Sequence, residues 1–474
     1  MRIHVVQRGD SIWKIAQNYG SNSHQIALLN DLMDNPDTLV VGQSLVIPEP
    51  GRDYVIQPGD DLWSVAQIFG VTVQELAEAN NIAHPSLIYV GQMLTNPYIS
   101  HTVREGESIW EIAQQYGVSV EHITSANNVG TSGLIFPGQT IKIPLASGSV
   151  AETNAYMTQL NEQGQSEVMM LGRYLTYVSP FRYSVKENGT LTQLQDQTVL
   201  EAAKANNVSP MMVVTNFSQG EMSSDLAAAL LRNPDAQESL VTNLIKTMRD
   251  KGYAGVNFNF EYVYPEDREN YNNFLRRVVS ELHPEGFLVS TALAPKESAQ
   301  QQGLLYEAHD YQAHGEIVDF VILMTYEWGW AGGRPRAIAP INKVRDVLDY
   351  AVTVIPRNKI MMGMPLYGRD WNVPWEEGTL ADTVSPKAAV QLARKYGATI
   401  QYDETAQSPF FSYVDEDGQK HEVWFEDARS VQAKYDTVMT YGLRGVSYWV
   451  LGMPFPQNWP VLQRNINVRK FENL

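Results

Sequence analysis

A run of polar side chains that ends in a carboxylate is the part of this sequence best suited to chemistry. Residues 255–261 read Gly-Val-Asn-Phe-Asn-Phe-Glu. Side chains alternate between the two faces of a β-strand, so Asn257, Asn259 and Glu261 would share one face. A single acidic residue at a strand end is usually a solvated loop residue, but burying three polar groups in succession costs free energy unless they are hydrogen-bonded or functional. The pattern therefore predicts a functional polar site inside the fold, with the Glu261 carboxylate at its rim.

Other catalytic groups have little support in the sequence. Cysteine is absent, which excludes disulfides, thiolate metal sites and a cysteine nucleophile. The nine histidines show no His-Glu-x-x-His spacing, and no Gly-x-Ser-x-Gly motif is present. We therefore expect neither a metal nor a cofactor.

The elements that must position Glu261 alternate between β-rich and helical patterns after residue 150. This alternation predicts an α/β fold, a parallel (β/α)8 TIM barrel, with catalysis at the carboxyl ends of the strands. A doubly wound open sheet is the competing fold, and the absence of a glycine-rich phosphate loop at any strand end disfavours it. The predicted strands are residues 169–177, 211–216, 255–260, 287–292, 320–326, 359–367 and 445–450, and the predicted helices are 224–231, 237–251, 265–282 and 341–355.

Before residue 150 the sequence repeats itself. The stretches 4–13, 54–63 and 101–110 share one pattern, and each copy closes with a Gly-Gln signature at 41–48, 90–97 and 137–144. Each copy is predicted to form strand, helix, helix, strand in about 45 residues, a unit too small for a large core and better suited to weak binding than to catalysis. The predicted organisation is three modules at 1–49, 52–98 and 100–145, a linker at 146–150, and a catalytic domain at 151–474 with an inserted hairpin near 399–426.

The overall charge and hydropathy narrow the class of partner. The 474 residues carry a formal net charge of −18, which disfavours nucleic acid as a ligand. No apolar run reaches the roughly 18 residues that cross a bilayer, and the N-terminus enters the first repeat without the apolar segment of a signal peptide. We therefore expect a soluble protein that does not insert into membranes and has no standard export signal. Nothing in the sequence indicates the oligomeric state.

The three repeats resemble the LysM domain, which binds glycans containing N-acetylglucosamine, such as peptidoglycan and chitin. Three copies in register make the resemblance specific; a generic βααβ interaction module is the alternative. The first copy differs from the others, because residues 20–23 read Gly-Ser-Asn-Ser where the others have Gly-Val-Thr-Val or Gly-Val-Ser-Val. The resemblance implies that peptidoglycan or another N-acetylglucosamine glycan is the partner.

Residues 151–474 resemble the family 18 glycoside hydrolases. Strand 255–261 is similar to the family signature Asp-x-x-Asp-x-Asp-x-Glu, and residues 324–328 (Met-Thr-Tyr-Glu-Trp) are similar to its Met-x-Tyr-Asp/Glu strand. Residues 363–369 match its Gly-x-Pro-x-Tyr-Gly strand, and 447–449 match its final strand with tryptophan. Residues 326–330 (Tyr-Glu-Trp-Gly-Trp) and 363–371 resemble in particular the LysM-bearing enzymes with which endospore-forming bacteria degrade spore cortex peptidoglycan. In those enzymes a missing export signal is expected, because they are made in the mother cell and laid down in the outer layers of the spore.

The resemblance to family 18 implies a substrate-assisted retaining mechanism. Glu261 would be the general acid and base, and Tyr326 would hold the N-acetyl oxygen that attacks the anomeric carbon. Trp449 would form an apolar floor under the sugar, although an indole there is also compatible with core packing. Arg369 is equally compatible with a structural role in a loop. The residues implied to line the substrate site are Asn257, Met324, Glu327, Tyr367, Arg369 and Trp449.

Two residues depart from the family signature, because Asn257 and Asn259 both stand at aspartate positions. Asn259 stands where the family usually has its last aspartate, two residues before the glutamate. An amide can accept a hydrogen bond from the acetamido N–H but offers no negative charge to a cationic intermediate. Two functions from different classes therefore stay open: an N-acetylglucosaminidase acting on spore cortex, and a weakened or inactive protein that binds glycan or belongs to the spore coat.

Overall fold

Eight parallel strands form a closed barrel in the larger part of the chain. The computed structural model describes residues 1–34, 38–127, 129, 133–145 and 148–471. Consecutive barrel strands pair with one another, and the last also pairs with the first, which closes the ring. The predicted fold class is confirmed. The strands are β1 (Ser149–Met157), β2 (Tyr177–Pro180), β3 (Ser209–Thr215), β4 (Gly255–Asn259), β5 (Leu288–Leu293), β6 (Phe320–Leu323), β7 (Ile360–Pro365) and β8 (Gly445–Leu451).

Helices cover the outside of the barrel because the outward faces of the strands are apolar. Phe258 and Phe260, which alternate with the polar residues of β4, pack against Phe274 at 5.2 Å and Tyr271 at 5.7 Å between ring centres. No helix in the described part of the chain is long and apolar enough to cross a membrane. The covering helices are Glu162–Leu171, Gln197–Ala205, Ser224–Leu231, Pro234–Lys251, Arg268–Leu282, Tyr311–Ile317, Ile341–Val354, Ala428–Tyr441 and Asn458–Asn465.

The start of the barrel differs from the sequence prediction. Residues 169–177, predicted to be a strand, contain the end of helix Glu162–Leu171 and a short 3-10 turn, and β2 begins only at Tyr177. Periodicity cannot separate a short apolar run of a helix from a strand. The prediction also missed β1, because its buried centre carries polar residues. Glu152, buried there, accepts hydrogen bonds from Arg444 (2.6 Å), Arg469 (3.2 Å) and the Tyr177 hydroxyl (3.0 Å).

The insertion between β7 and β8 is larger than the predicted hairpin near 399–426. Its strands form one antiparallel sheet of five, with a helix, Pro386–Lys395, on one side. Asp370 ties the sheet together, since it accepts hydrogen bonds from the Tyr413 hydroxyl (2.6 Å) and from His421 (2.9 Å). In order across the sheet the strands are Asp382–Val384, Gly368–Val373, Lys420–Trp424, Ser408–Val414 and Gln401–Asp403.

Each N-terminal module is a two-stranded antiparallel sheet with two helices, as the repeats predicted. An asparagine at the end of the second helix joins helix to sheet in the same way each time. In the first module, Asn30 donates to the carbonyl groups of Ile26 (2.9 Å) and Val46 (2.7 Å) and accepts from the Val46 N–H (2.8 Å). Asn80 and Asn127 repeat this arrangement. The module elements are Arg2–Val5, Ile12–Tyr19, Ser23–Leu29 and Ser44–Ile47; Asp53–Val55, Leu62–Phe69, Val73–Ala79 and Met93–Thr95; and Tyr98–Thr102, Ile109–Tyr116, Val120–Ala126 and Thr140–Pro144.

The first module is docked against the insertion of the barrel. The Ile400 N–H donates to the Val41 carbonyl at 2.9 Å, and the Ala428 N–H donates to the Ser44 hydroxyl at 3.2 Å. Gly42 fits this contact because it adopts a φ of +85° and because a Cβ there would lie 1.8 Å from the Ile400 carbonyl oxygen. Side chains other than glycine are therefore excluded unless the interface shifts.

The second module also contacts the barrel, whereas the described part of the third contacts the second. Gln463 donates to Asn80 at 2.9 Å, and Arg173 donates to the Met93 carbonyl at 2.7 Å. The Tyr98 hydroxyl, at the start of the third module, donates to Glu75 of the second at 2.9 Å. Of the predicted linker 146–150, residues 146 and 147 lie outside the described part, and 149 and 150 already belong to β1.

Candidate active site

A cleft of about 820 Å³ lies at the carboxyl ends of the barrel strands and contains most of the predicted site residues. This is the end of the barrel at which the fold places catalysis. Two predicted residues, Asn257 and Tyr367, are buried behind its wall. The predicted residues that line the cleft are Asn259, Glu261, Met324, Tyr326, Glu327, Arg369 and Trp449.

Glu261 follows β4 and is held through its backbone. The side chain of Asn216, the residue after β3, accepts a hydrogen bond from the Glu261 N–H (3.1 Å) and donates to the Glu261 carbonyl (2.8 Å). Burial raises the pKa of the half-buried Glu261 carboxyl to about 7, and a hydrogen bond from Asn259 opposes that rise. A carboxyl with a pKa near 7 can both give and take a proton at neutral pH.

Asn257 and Asn259 occupy successive layers of the barrel interior. Asn257 is 1% exposed; it accepts from the Tyr156 hydroxyl (2.9 Å) and donates to the Ser290 hydroxyl (3.0 Å). The structure therefore places Asn257 below the cleft, where its polar groups are satisfied by the barrel itself. Asn259 lies one layer higher, and its buried Oδ1 has no hydrogen-bond partner among the described residues. A buried amide oxygen without a partner is available to an N–H group of a ligand.

Tyr326 and Met324 follow β6 and line the cleft. The Tyr326 hydroxyl makes no hydrogen bond within the part of the chain that the structure describes, and the side chain is buried. Burial, and then the neighbouring Tyr156 and Glu261, raise the pKa of Tyr326 well above its usual value. The hydroxyl therefore keeps its proton and can donate it to a ligand. Gly363 on β7 makes room for the ring, because a Cβ there would lie 2.7 Å from it.

Glu327 is engaged by two neighbours. Its Oε1 accepts hydrogen bonds from the Tyr367 hydroxyl and from Arg369 (2.9 Å). The Arg369 guanidinium also lies 5.0 Å from the centre of the Tyr367 ring and donates to Thr383 of the insertion. Arg369 thus lies on a strand of the inserted sheet rather than in a loop, and it connects that sheet to the cleft wall.

Aromatic side chains form the apolar part of the cleft. Trp449 at the end of β8 contacts Tyr156 and Phe181 edge to face, with ring centres 5.4 and 4.9 Å apart. Its half-buried indole is both packed and accessible from the cleft. Several other residues of the cleft were not among the predicted site residues: Phe181, Arg182, Phe217, Tyr262, Tyr306 and Trp330. Most come from loops without a recognisable motif, whereas Phe217 lies on a two-residue strand and Trp330 follows the Met-x-Tyr-Asp/Glu motif.

Comparison with known proteins identifies both parts of the chain. The model of the LysM domain matches residues 4–48, 54–97 and 101–144, and the model of the glycosyl hydrolases family 18 matches residues 152–453. The chain belongs to glycosyl hydrolase family 18. It is a glycoside hydrolase with three LysM modules before its barrel, as the motifs predicted.

Several known proteins match nearly the whole chain. A "Cortical fragment-lytic enzyme" of Bacillus subtilis is 42% identical over 99% of both chains, and a "Putative sporulation-specific glycosylase" of the same organism is 32% identical over 99% of this chain and 100% of its own. Among solved structures, the spore cortex-lytic enzyme SleL of Bacillus megaterium superposes with a TM-score of 0.78 at 38% identity and 99% coverage of both chains. The similarity therefore includes the modules as well as the barrel.

Proposed function

We propose that this protein hydrolyses spore cortex peptidoglycan as an N-acetylglucosaminidase, by a substrate-assisted retaining mechanism in which Glu261 is the general acid and base. The observation that carries the proposal is the half-buried Glu261 carboxyl in the cleft, whose pKa of about 7 suits both roles at neutral pH. Relatives named for cortical fragments and spore cortex lysis match 99% of the chain and support the choice of substrate.

The nucleophile is assigned to the substrate because, among the described residues of the cleft, no second carboxylate besides Glu261 is free to attack. Among the described residues that line the cleft, the carboxylates are Glu261 and Glu327. Glu327 is engaged by Tyr367 and Arg369. A retaining enzyme with two carboxylates uses the second one as nucleophile, whereas a substrate-assisted enzyme uses the acetamido oxygen of the sugar. The second scheme suits a cleft with one available carboxyl.

In the first step Glu261 gives its proton to the glycosidic oxygen. The acetamido oxygen attacks the anomeric carbon, the bond to the leaving sugar breaks, and an oxazolinium ion forms. The Tyr326 hydroxyl donates to the acetamido oxygen and keeps it in line, and Trp449 provides an apolar surface under the sugar ring. In the second step the Glu261 carboxylate takes a proton from water, whose oxygen attacks the anomeric carbon. This reopens the oxazolinium ring and restores both the acetamido group and the Glu261 carboxyl.

Asn259 and the remaining wall residues orient the sugar in this scheme. The unpartnered Oδ1 of Asn259 accepts from the acetamido N–H, while Met324 contacts the sugar. Glu327 offers its second oxygen to a sugar hydroxyl, and Tyr367 and Arg369 fix the orientation of Glu327. Asn257 supports this layer from below. Asn259 does not supply the negative charge that an aspartate would give at this position.

The chemistry also excludes one bond, the bond that follows a muramic lactam. Internal attack requires an N-acetyl group on the sugar that donates the glycosidic bond. The muramic lactam of spore cortex lacks this group, so we propose that cleavage follows N-acetylglucosamine. The LysM modules bind the same glycan, and we place the protein at the spore cortex, made in the mother cell without a standard signal peptide.

Digestion of cortex fragments tests the proposal. The expected products carry reducing ends on N-acetylglucosamine, identified by borohydride reduction and mass spectrometry. Glu261→Gln should abolish turnover while glycan binding persists, whereas Glu266→Gln, which removes an exposed carboxylate of the same loop, should not affect it. Reducing ends on muramic residues alone would contradict the cut site. Wild-type protein that binds glycan without any turnover would instead favour the glycan-binding or coat-structural function.

A further inference from the structure

Arg182 is a cation without a counter-ion at the wall of the cleft. It lies in the loop after β2, lines the cleft, and makes no ion pair or hydrogen bond with any residue that the structure describes. Its buried Nε has no acceptor. The chain has 53 acidic residues against 35 basic ones, so a shortage of carboxylates does not explain why Arg182 has no ion-pair partner. Leaving this guanidinium unpaired therefore points to an acceptor that arrives with the ligand.

The guanidinium is held in place by aromatic rings. Its centre lies 3.5 Å from the centre of the Phe217 ring and 5.4 Å from that of Phe181. Burial lowers the pKa of Arg182, but an arginine keeps its charge at any physiological pH. A stacked guanidinium loses little conformational freedom on binding and presents its N–H groups in a fixed plane, which matches the two oxygens of a carboxylate.

The charges around Arg182 leave an excess of positive charge in the cleft. Glu327 is neutralised by Arg369, and Glu261 is only partly ionised near neutral pH. Arg336 also lines the cleft and donates through its Nε to the Trp328 carbonyl at 2.6 Å. Arg182 and Arg336 thus face at most one unpaired carboxylate, in a protein of net charge −18. The cleft favours an anionic ligand although the protein as a whole repels one.

The position of Arg182 places this charge near Trp449, which lies under the sugar ring in the proposed mechanism. The ring centre of the neighbouring Phe181 lies 4.9 Å from that of Trp449. Phe217 directly follows Asn216, whose side chain hydrogen-bonds the backbone of Glu261. We propose that Arg182 and Phe217 form a subsite for a carboxylate carried by the glycan, either a lactyl carboxylate of muramic acid or a carboxylate of a peptide stem. This inference rests on the proposed function and adds to it that the enzyme selects carboxylate-bearing peptidoglycan over neutral chitin-type chains.

The test compares kcat/KM on three glycans of equal length: a neutral N-acetylglucosamine oligomer, a peptide-free strand with lactyl carboxylates, and a strand with peptide stems. We expect the wild type to prefer a carboxylate-bearing strand. Arg182→Gln should reduce the ratio of charged to neutral kcat/KM by about tenfold to a hundredfold, the usual effect of losing a charge-assisted hydrogen bond. Arg182→Lys should restore part of the ratio. Whichever charged strand loses its advantage identifies the source of the carboxylate.

Arg334→Gln is the matched control. Arg334 is exposed and, like Arg182, stacked on a ring, 5.3 Å from the centre of Trp375, but it does not line the cleft. Its substitution should leave the ratio unchanged. The wild-type ratio should also fall with added salt, and Arg182→Gln should weaken that salt dependence. If Arg182→Gln lowers kcat/KM equally on neutral and charged glycans, or lowers it on neither, the inference is overturned.

Binding measurements separate this inference from the proposed function. In the Glu261→Gln background, calorimetry measures affinity for the same glycans without turnover. A preference for the carboxylate-bearing strand that Arg182→Gln removes supports the subsite, even if the wild type turns out to cut no glycan. An affinity for all three glycans that does not depend on Arg182 refutes the subsite, even if hydrolysis proceeds as proposed.

Discussion

Replacing Asn259 by aspartate would place a negative charge where the proposed reaction develops a positive one. The side chain is buried at the floor of the cleft, its Oδ1 has no partner among the described residues, and its amide donates to Glu261. In Asn259→Asp the new carboxylate would face both the oxazolinium ion and the Glu261 carboxyl. The change adds charge with little change of volume, so its effect on rate is electrostatic.

The size of the effect follows from Coulomb's law. A unit charge about 4 Å from the cation, at an effective dielectric of about 20, contributes about 4 kcal/mol. Burial of the carboxylate offsets part of this, so we expect a rise in kcat between roughly tenfold and a thousandfold. The pKa of Glu261 should also rise, because the variant loses the amide donor that lowers it and gains a like charge. The acid form of Glu261 then persists to higher pH, and the basic limb of the profile moves upward.

The assay is a pH–rate profile on a fluorogenic N-acetylglucosamine oligomer for the wild type and Asn259→Asp. Asn257→Asp is the matched control: its carboxylate would lie one layer deeper, where it loses the donor to Ser290, so we expect lower stability and no gain in rate. A plateau that stays at the wild-type level, together with an unmoved basic limb, would refute the reasoning. The intermediate would then be stabilised by other residues, and Asn259 would be the native residue of a fully working site.

Three further predictions follow from the geometry. Glu261→Gln should raise the free energy of unfolding at pH 8 by about 1–2 kcal/mol and leave it unchanged at pH 4. Burial raises the folded-state pKa of Glu261 from 4.5 to about 7, so the ionised carboxylate destabilises the folded state above that range; the full shift would give roughly 3 kcal/mol, and water reduces this at a half-buried group. Denaturant titration at both pH values checks this. Tyr326→Phe should lower kcat by roughly tenfold to a hundredfold with a smaller change in KM, since it removes the donor to the acetamido oxygen, and steady-state kinetics on the fluorogenic oligomer test it. Gly42→Ala should release the first module and accelerate hydrogen exchange at Ile400, whereas Gly138→Ala, at a φ of +83° with nothing within 4 Å of its Cβ, should leave that exchange unchanged.

Local motifs explain why the barrel and much of the cleft could be predicted from the sequence. Glu261 and Tyr326 follow their strands and Trp449 lies near the end of β8, and the barrel topology brings the carboxyl ends of all strands to one rim. The alternation of side chains along a strand does not predict how deep in the barrel each residue lies. Asn257 and Asn259 share one face of β4, but only the structure shows that the first is satisfied inside the barrel while the second reaches the cleft.

The residues that the sequence did not indicate act through contacts between distant segments. Asn216 holds Glu261 from 45 positions away, and nothing in its own neighbourhood signals that role. Arg182 lies in a loop of ordinary composition, and its lack of a partner is visible only when the whole cleft is assembled. The strand β1 was missed for a related reason: its buried glutamate reads as a loop residue until Arg444, almost 300 positions later, is seen to neutralise it.

The contact between the modules and the barrel couples the folding of the glycan-binding modules to the folding of the catalytic domain. Val40 belongs to the same apolar cluster as Ile400 and Phe411 of the insertion, and Val55 and Met93 of the second module belong to the main barrel cluster. A truncation at residue 146 would expose these apolar surfaces to water, so the isolated barrel would be a less stable protein as well as a less adhesive one. The first two modules should therefore unfold cooperatively with the barrel, and a destabilising substitution in one part should lower the stability of the other.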